Sequence, residues 1–265
     1  MSELLHGINP VAEALASTAR QPLELILPCG RLAPRLSELN QQAKARKIPV
    51  RLLERAEIDR LAGHNHHQQV LLRLPPFIYT EFDQLLKQWR ASGRPAFLLL
   101  LDGITDPHNF GAILRSAEVA GCQGVIVAKD RSCPVTPVVE KTAAGALSHL
   151  PLCQVTNLAR SLEDLKSAGI WCYGLAGDAD STPLFTTRLV GDLALVVGSE
   201  GKGLRPNIRK HCDALLAIPM QGQLGSLNAS VAAAIALFEV CGKTSPPGRL
   251  CQNNPAHRQF STRFF

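Results

Sequence analysis

No C-x-x-C pair occurs among the eight cysteines of this 265-residue chain, which removes zinc ribbons and thioredoxin-type redox motifs from consideration. Long apolar runs are missing as well. The longest, Ala96–Leu101 and Val231–Phe238, fall far short of the roughly 20 residues needed to span a bilayer. The opening residues, MSELLHGINP, lack a basic stretch followed by an apolar one, so no secretory signal and no membrane partner are expected. Neither G-x-x-x-x-G-K-[ST] nor G-x-G-x-x-G is present, which excludes the Walker and Rossmann phosphate loops. There is no internal repeat. His64, His66 and His67 lie close together, but no cysteine or carboxylate cluster accompanies them. The expectation is no metal, and a histidine loop that faces RNA or solvent.

What is present is a mildly basic chain, with 28 Lys+Arg against 22 Asp+Glu and a net charge of +6. Such a balance favours a polyanionic partner, most simply nucleic acid. The length leaves room for a sizeable core and two domains. Several cysteines sit inside apolar runs, such as Cys153 in LPLCQV and Cys172 in IWCYGL. A buried thiol there behaves as a small hydrophobe. We therefore expect reduced structural cysteines and a cytoplasmic protein.

Residues 1–75 alternate strand and helix signals and read as a small α/β domain. Asn9-Pro10 starts a helix running to Ala16, LELILP (23–28) is a strand, and 35–47 is a helix. Strands follow at Val50–Leu53 and Val70–Leu74, with a helical stretch near Ala56–Leu61 between them. Pro75-Pro76 closes this part, and 76–95 reads as a linker with a possible helix at 80–90. From 96 to 242 the strands become apolar runs: FLLLL, GVIVA, LPLCQV, GIWCYGL, LALVV and ALLAIP. Such strands between helices predict a parallel sheet covered on both faces. The last helix, Ser226–Val240, shows Leu227, Val231, Ala234, Ile235 and Phe238 at helical spacing. Residues 243–265 hold basic residues and prolines without acids and read as a disordered basic tail, a possible auxiliary RNA contact.

Three separated motifs share one form, an apolar strand, a Gly- or Asn-bearing loop and a helix start. They are LDGITDPHNFGAILRSAEVAG (101–121), LALVVGSEGKGL (193–204) and IPMQGQLGSLNASVAAAIALFE (218–239). Open α/β sheets build their ligand crevice at such places, so the three imply one composite site. Asp106-Pro107 suits an N-cap and first-turn proline. Phe110, Ile113, Leu114 and Ala117 then form the apolar stripe, with Asn109 and Arg115 off it. Gly111 lets another backbone or a ligand approach. Arg115 could equally form a surface pair with Glu118 at i,i+3. Around Glu200, the glycines Gly198, Gly201 and Gly203 offer mainly bare backbone. Ser226 reads as the N-cap of the last helix, with Asn228 and Ser230 in its first turn. A helix start there also favours a carboxylate or phosphate.

Taken together, N-x-G-x-x-x-R (Asn109 to Arg115), G-x-E-G-x-G (Gly198 to Gly203) and I-P-M…S-L-N-x-S (Ile218 to Ser230) resemble the SpoU/TrmH family of RNA ribose 2′-O-methyltransferases. The likeness is closest to the branch that methylates a guanosine ribose in large-subunit rRNA. LLHGINPVAEAL (4–15) and HNHHQQVLL (64–72) resemble its L30e-like RNA-binding module. Family members commonly have glycine where Gln69 stands and a β-branched residue where Ala229 stands.

The resemblance implies a carboxyl-terminal SPOUT parallel sheet with a deep trefoil knot, preceded by the L30e-like α/β domain. It implies S-adenosylmethionine as cofactor, held largely by backbone at Gly198, Ile218 and Leu227, with Met220 and Ser226 adjacent. It implies a homodimer whose site is completed across the interface, and large-subunit rRNA as partner. The catalytic set carried over is Arg115, Asn109, Glu200 and Asn228. Family proposals make Arg115 the base. Its planar fork also suits a clamp on the neighbouring phosphate and a stabiliser of the developing alkoxide. Asn109 would orient the ribose or Arg115, Asn228 would shape the methyl-transfer pocket, and Glu200 would hold Arg115 or the loop. The basic residues Arg31, Arg35, Lys44, Arg46, Lys47 and Arg51 fit RNA binding by the first domain, or simply a solvated face. A tRNA substrate and a non-catalytic RNA-binding assembly factor are the competing functions.

Overall fold

Alternate residues along the central strands face two different cores, and this arrangement orders the whole second half of the chain. The computed structural model describes residues 3–16, 20–178, 180–223 and 225–244. In chain order the first part contains β1 (Glu3–His6), α1 (Ile8–Ala16), β2 (Glu24–Pro28), α2 (Pro34–Ala45), β3 (Val50–Leu53), α3 (Arg55–Ala62) and β4 (Leu71–Leu74). After α4 (Phe82–Ser92) come β5 (Phe97–Asp102), α5 (Pro107–Val119), β6 (Gly124–Ala128), α6 (Pro137–Ala143), β7 (Leu152–Val155), α7 (Leu158–Ser167) and β8 (Trp171–Leu175). The chain continues through β9 (Thr182–Pro183), β10 (Leu193–Gly198), α8 (Pro206–His211), β11 (Ala214–Ala217) and α9 (Ala229–Thr244). No helix among the described residues is long and apolar enough to cross a membrane.

The second sheet has seven strands in the order β7-β6-β5-β10-β8-β11-β9, and every pairing in it is parallel. Leu99 and Leu101 of β5, Val125 and Val127 of β6, and Leu195 of β10 point into a core shared with α5 and α9. Their neighbours Leu98, Leu100, Ile126 and Val196 point into the opposite core, under α4 and α7. The strict two-residue period explains why these segments read as unbroken apolar runs, since both faces are dry. Cys122, Cys153, Cys172 and Cys212 lie in these cores, where burial pushes each thiol up to about 12.

The first sheet has four strands in the order β1-β4-β2-β3. Strand β1 was not legible in the sequence, because four residues, ELLH, are too few to show alternation. It exists by pairing antiparallel with β4, Leu5 opposite Leu72. Around β2 and β4, Leu25, Leu27 and Leu72 face α1 and α2, while Ile26 and Leu71 face α3. His67, expected in an RNA- or solvent-facing loop, is instead buried. Its Nδ1 accepts from the backbone N–H of Gln69 at 3.1 Å, so Nε2 carries the proton and donates to Asp59 Oδ1 at 2.6 Å. Gln69 sits in the left-handed region with φ of 57°, which accounts for the family's glycine there. Gln68 anchors the same loop by accepting from the N–H of Ile8 at 2.8 Å.

Segment 76–95, expected as a linker, is packed structure. The N–H of Thr80 donates to Leu152 at 2.8 Å, and Leu85 and Leu86 of α4 are buried beside Leu98, Leu100 and Ile126. An 11-residue helix with two buried leucines lacks the long stripe that would mark it in the sequence. Helix α9 extends to Thr244, past the expected boundary at 242. The expected disordered tail otherwise falls in 245–265, outside the described residues.

The two sheets are joined by an ion cluster that the sequence gives no hint of. Arg20 is buried, and its Nε donates to Glu140 Oε1 on α6 at 2.7 Å. Its Nη1 donates to Glu3 Oε2 at 2.7 Å and to the carbonyl of Pro75 at 3.0 Å. Lys141, next along α6, reaches Glu13 of α1 at 2.8 Å. Burial drives the Glu140 carboxyl upward, and the charge and hydrogen bond of Arg20 oppose this. Truncating one member of a buried pair typically costs about 3–5 kcal/mol. Arg20→Met should lower unfolding free energy by about 3 kcal/mol in denaturant titration, and adding Glu140→Leu should recover most of that loss.

Candidate active site

All three motifs end in loops at the carboxyl edge of the parallel sheet, and one carboxylate joins them. At the first, Asp106 caps α5 by accepting from the N–H of Asn109 at 2.7 Å, with Pro107 in the first turn. This aims the Asn109 amide toward β10. Gly111 is required by packing: a Cβ there would lie 2.6 Å from the Thr142 Cβ and 2.9 Å from the carbonyl of Val139. The backbone anticipated near Gly111 is therefore that of α6.

At the second motif, β10 runs into a tight loop closed by two backbone bonds, Ser199 N to Gly203 O at 3.1 Å and Gly203 N to Ser199 O at 2.9 Å. A Cβ on Gly198 would stand 2.1 Å from Gly203 C and 2.3 Å from Leu204 N. Only glycine permits that return, which projects Glu200 from the loop tip. At the third motif the expected cap is corrected. Helix α9 begins at Ala229, not Ser226. Asn228 is its cap, with Oδ1 accepting from the N–H groups of Ser230 at 2.9 Å and Val231 at 3.3 Å. Asparagine serves this position as well as serine does, and residues 226–228 stay outside the helix.

Three residues meet here. Glu200 Oε1 accepts from Asn109 Nδ2 at 2.7 Å, from Asn228 Nδ2, and from the N–H of Ala229 at 3.4 Å. Asn228 Nδ2 also donates to Asn109 Oδ1 at 3.0 Å. Glu200 thus holds the two asparagines rather than Arg115, and it does so at the positive end of α9.

Two cavities flank the cluster. One, of about 350 Å³, is lined by Gly198, Ile218, Met220, Ser226 and Leu227, which brings the five expected cofactor residues to one wall. The other, of about 660 Å³, lies on the Asn109 side and includes Thr105, Asp106, Arg131 and Arg205. Glu200 and Lys202 border both. The first cavity combines apolar side chains with bare loop backbone and the carboxylates of Asp178 and Glu200, a lining that suits a nucleoside carrying a sulfonium cation.

Arg115 is not brought to this cluster. It is exposed on α5, six residues beyond Asn109 and so about 9 Å further along the helix axis. Among the described residues it makes no ion pair, and the alternative pair with Glu118 is not formed.

Sequence reading missed Asp102 and Arg205. Asp102 ends β5 fully buried. It accepts from Arg205 Nε at 2.5 Å and from the Arg205 N–H at 2.8 Å, tying the chain after β10 to the end of β5. A lone acid closing the run FLLLL was the available signal, because a buried charge needs a partner.

Residues 96–238 match the family described as SpoU rRNA Methylase, and residues 4–80 match RNA 2′-O ribose methyltransferase substrate binding. The chain belongs to the SpoU methylase family. It is 42% identical over 246 residues to the 23S rRNA (guanosine-2′-O-)-methyltransferase RlmB of Escherichia coli K12, covering 92% of this chain and 100% of that protein. It is 43% identical over 236 residues to the RlmB of Xanthomonas campestris pv. campestris, covering 88% and 93%. Its fold resembles that of the SpoU methyltransferase AviRb of Streptomyces viridochromogenes in complex with AdoMet, with a TM-score of 0.59 at 24% identity over 91% of this chain and 90% of that one.

The backbone contact at Gly198 gives a direct check. Overpacking typically costs about 1–3 kcal/mol, and here the obstacle is backbone that cannot rotate away. Gly198→Ala should lose about 3 kcal/mol of stability and lose cofactor binding by calorimetry. Gly242→Ala, at an exposed position of α9 where nothing lies within 4 Å, should leave cofactor binding unchanged and raise stability by up to about 1 kcal/mol.

Proposed function

We propose that this chain transfers a methyl group from S-adenosylmethionine to the ribose 2′-oxygen of a guanosine in 23S rRNA. The observation that carries the reading is the Asn109–Glu200–Asn228 cluster standing between two cavities. One cavity suits the cofactor, and the other has room for the nucleotide. Bound S-adenosylmethionine supplies an electrophilic methyl on sulfur. The chain's own residues must hold the ribose oxygen in line with it and stabilise charge as the hydroxyl proton leaves. Gly198, Ile218 and Leu227, with Met220 and Ser226 beside them, form the cofactor wall. Asn109 orients the ribose with the amide hydrogen that Glu200 leaves free. Asn228 fixes the wall between the cavities.

Arg115 reaches the site from a second copy. Support comes from its exposed, unpaired state and from an apolar surface beside it. Val119 on α5 is 58% exposed, and Val231 and Phe238 on α9 are 46% and 47% exposed. Such a patch on adjacent helices suits an isologous homodimer.

The trefoil knot belongs to the same reading. Strand β11 lies outside β8, yet the segment after it returns to Glu200 at the end of β10, and α9 packs on α5. That path supports a chain threaded through its own loop. Residues 1–75 act as the L30e-like module that binds rRNA, and the cytoplasm, where rRNA is made, is the place of action.

Labelled S-adenosylmethionine incubated with rRNA and tRNA from cells lacking the gene should label 23S rRNA only. Label in tRNA, or in neither pool, would sink the assignment. In the same assay Arg115→Ala should lower transfer by about 100-fold, the scale of losing one charge-stabilising donor, with cofactor affinity unchanged. Phe238→Asp should convert the protein from dimer to monomer in light scattering and abolish transfer; a dimeric variant would refute this interface.

A further inference from the structure

The larger cavity holds a cation that neither the fold nor the cofactor accounts for. Arg131 lies in the loop after β6, exposed, with its backbone in the left-handed region at φ of 60°. That loop is held against the one after β5 by a bond from the N–H of Cys133 to the carbonyl of Ile104 at 2.8 Å. Arg131 therefore stands on a fixed turn at the mouth of the cavity that also contains Asn109 and Glu200.

Apart from Lys202, the other charges of the cavity are already committed. Arg205 is bound to buried Asp102, Asp106 caps α5, and Glu200 takes the two asparagines. Among the described residues Arg131 and Lys202 have no ion-pair partner. Lys202 lies on the loop bordering both cavities, whereas Arg131 borders only the larger one. A non-glycine residue in the left-handed region carries backbone strain, and strain of this kind concentrates where a side chain must be aimed.

We infer that Arg131 binds the phosphodiester beside the target ribose, fixing the nucleotide against Asn109 in the larger cavity. The inference rests on the RNA methyltransferase reading and deepens it. A volume of about 660 Å³ falls within the range of pockets for nucleotide-sized ligands, roughly 300–1,000 Å³. A guanidinium fork matches two phosphate oxygens. Because it is a backbone contact to RNA, it sets affinity and register and carries no base specificity.

The left-handed turn dictates the variants. Arg131→Gly removes the side chain while keeping the turn at ease, and Arg131→Asn tolerates the same conformation. Arg131→Lys keeps the charge. Binding to an unmodified 23S rRNA transcript is measured against salt, with S-adenosylmethionine affinity measured separately. Arg131→Gly and Arg131→Asn should each bind the transcript about tenfold more weakly, with the salt slope reduced by about one. Cofactor affinity should stay unchanged, and Arg131→Lys should retain most RNA binding. Wild-type RNA affinity and salt slope in Arg131→Gly would overturn the inference, as would a parallel loss of cofactor binding. Methyl transfer by the wild-type protein is scored independently: its absence defeats the functional reading while the RNA-binding comparison still judges Arg131.

Discussion

One oxygen of Glu200 holds the three loops of the site together. It accepts from Asn109 in the first turn of α5, and from Asn228 and the backbone of Ala229 where α9 starts. A carboxylate is the appropriate acceptor, because it is the only common side-chain group that takes several donors on one oxygen and prefers the positive end of a helix. The side chains are exposed, so each bond contributes little to stability. Their importance is positional. If Glu200 moved, the wall between the cavities would move with it.

That position depends on features with no chemistry of their own. Gly198 lets the chain double back so closely that a Cβ would meet the backbone of Gly203, and Asp106 fixes the rotation of α5 that aims Asn109. Gly111 lets α6 touch α5, and α6 carries Glu140, which takes the buried Arg20 of the first domain. The first part of the chain is thus braced against α6, which in turn packs on the helix that presents Asn109. Stability is concentrated in the apolar cores, while geometry is concentrated in the asparagine–glutamate cluster.

Much of this was legible in the chain because the controlling residues are local in sequence. Unbroken apolar runs betrayed strands buried on both faces, and Asp106-Pro107 marked a helix start. The three motifs bring Asn109, Glu200, Asn228 and the five residues that line the smaller cavity to one edge of the sheet, as their shared form implied. What failed depended on partners distant in sequence. Strand β1 needs β4, the 76–95 segment needs the face of β5 and β6, and Asp102 finds Arg205 across 103 residues. The cap of α9 was misplaced for a different reason. Ser226, Asn228 and Ser230 are all competent caps, and only the demand of Glu200 for the Asn228 amide selects among them.

Helix α9 shows why a correct periodicity can still name the wrong face. Its buried residues are Ala229, Ala233, Ala236, Leu237 and Val240, mostly small side chains that allow close approach to α5. The larger Val231 and Phe238, which dominate the apolar stripe in the sequence, point outward. Bulk draws the eye in a sequence, whereas a tightly packed parallel α/β layer selects for smallness at the contact. A helix apolar on both sides needs cover on both. One side is closed by this chain's own sheet and α5, and the bulkier side is the one to which the proposed function assigns a second copy. The same helix anchors Glu200 through the backbone of its first residue, so a partner on its outer face would bear on the Asn109–Glu200–Asn228 cluster.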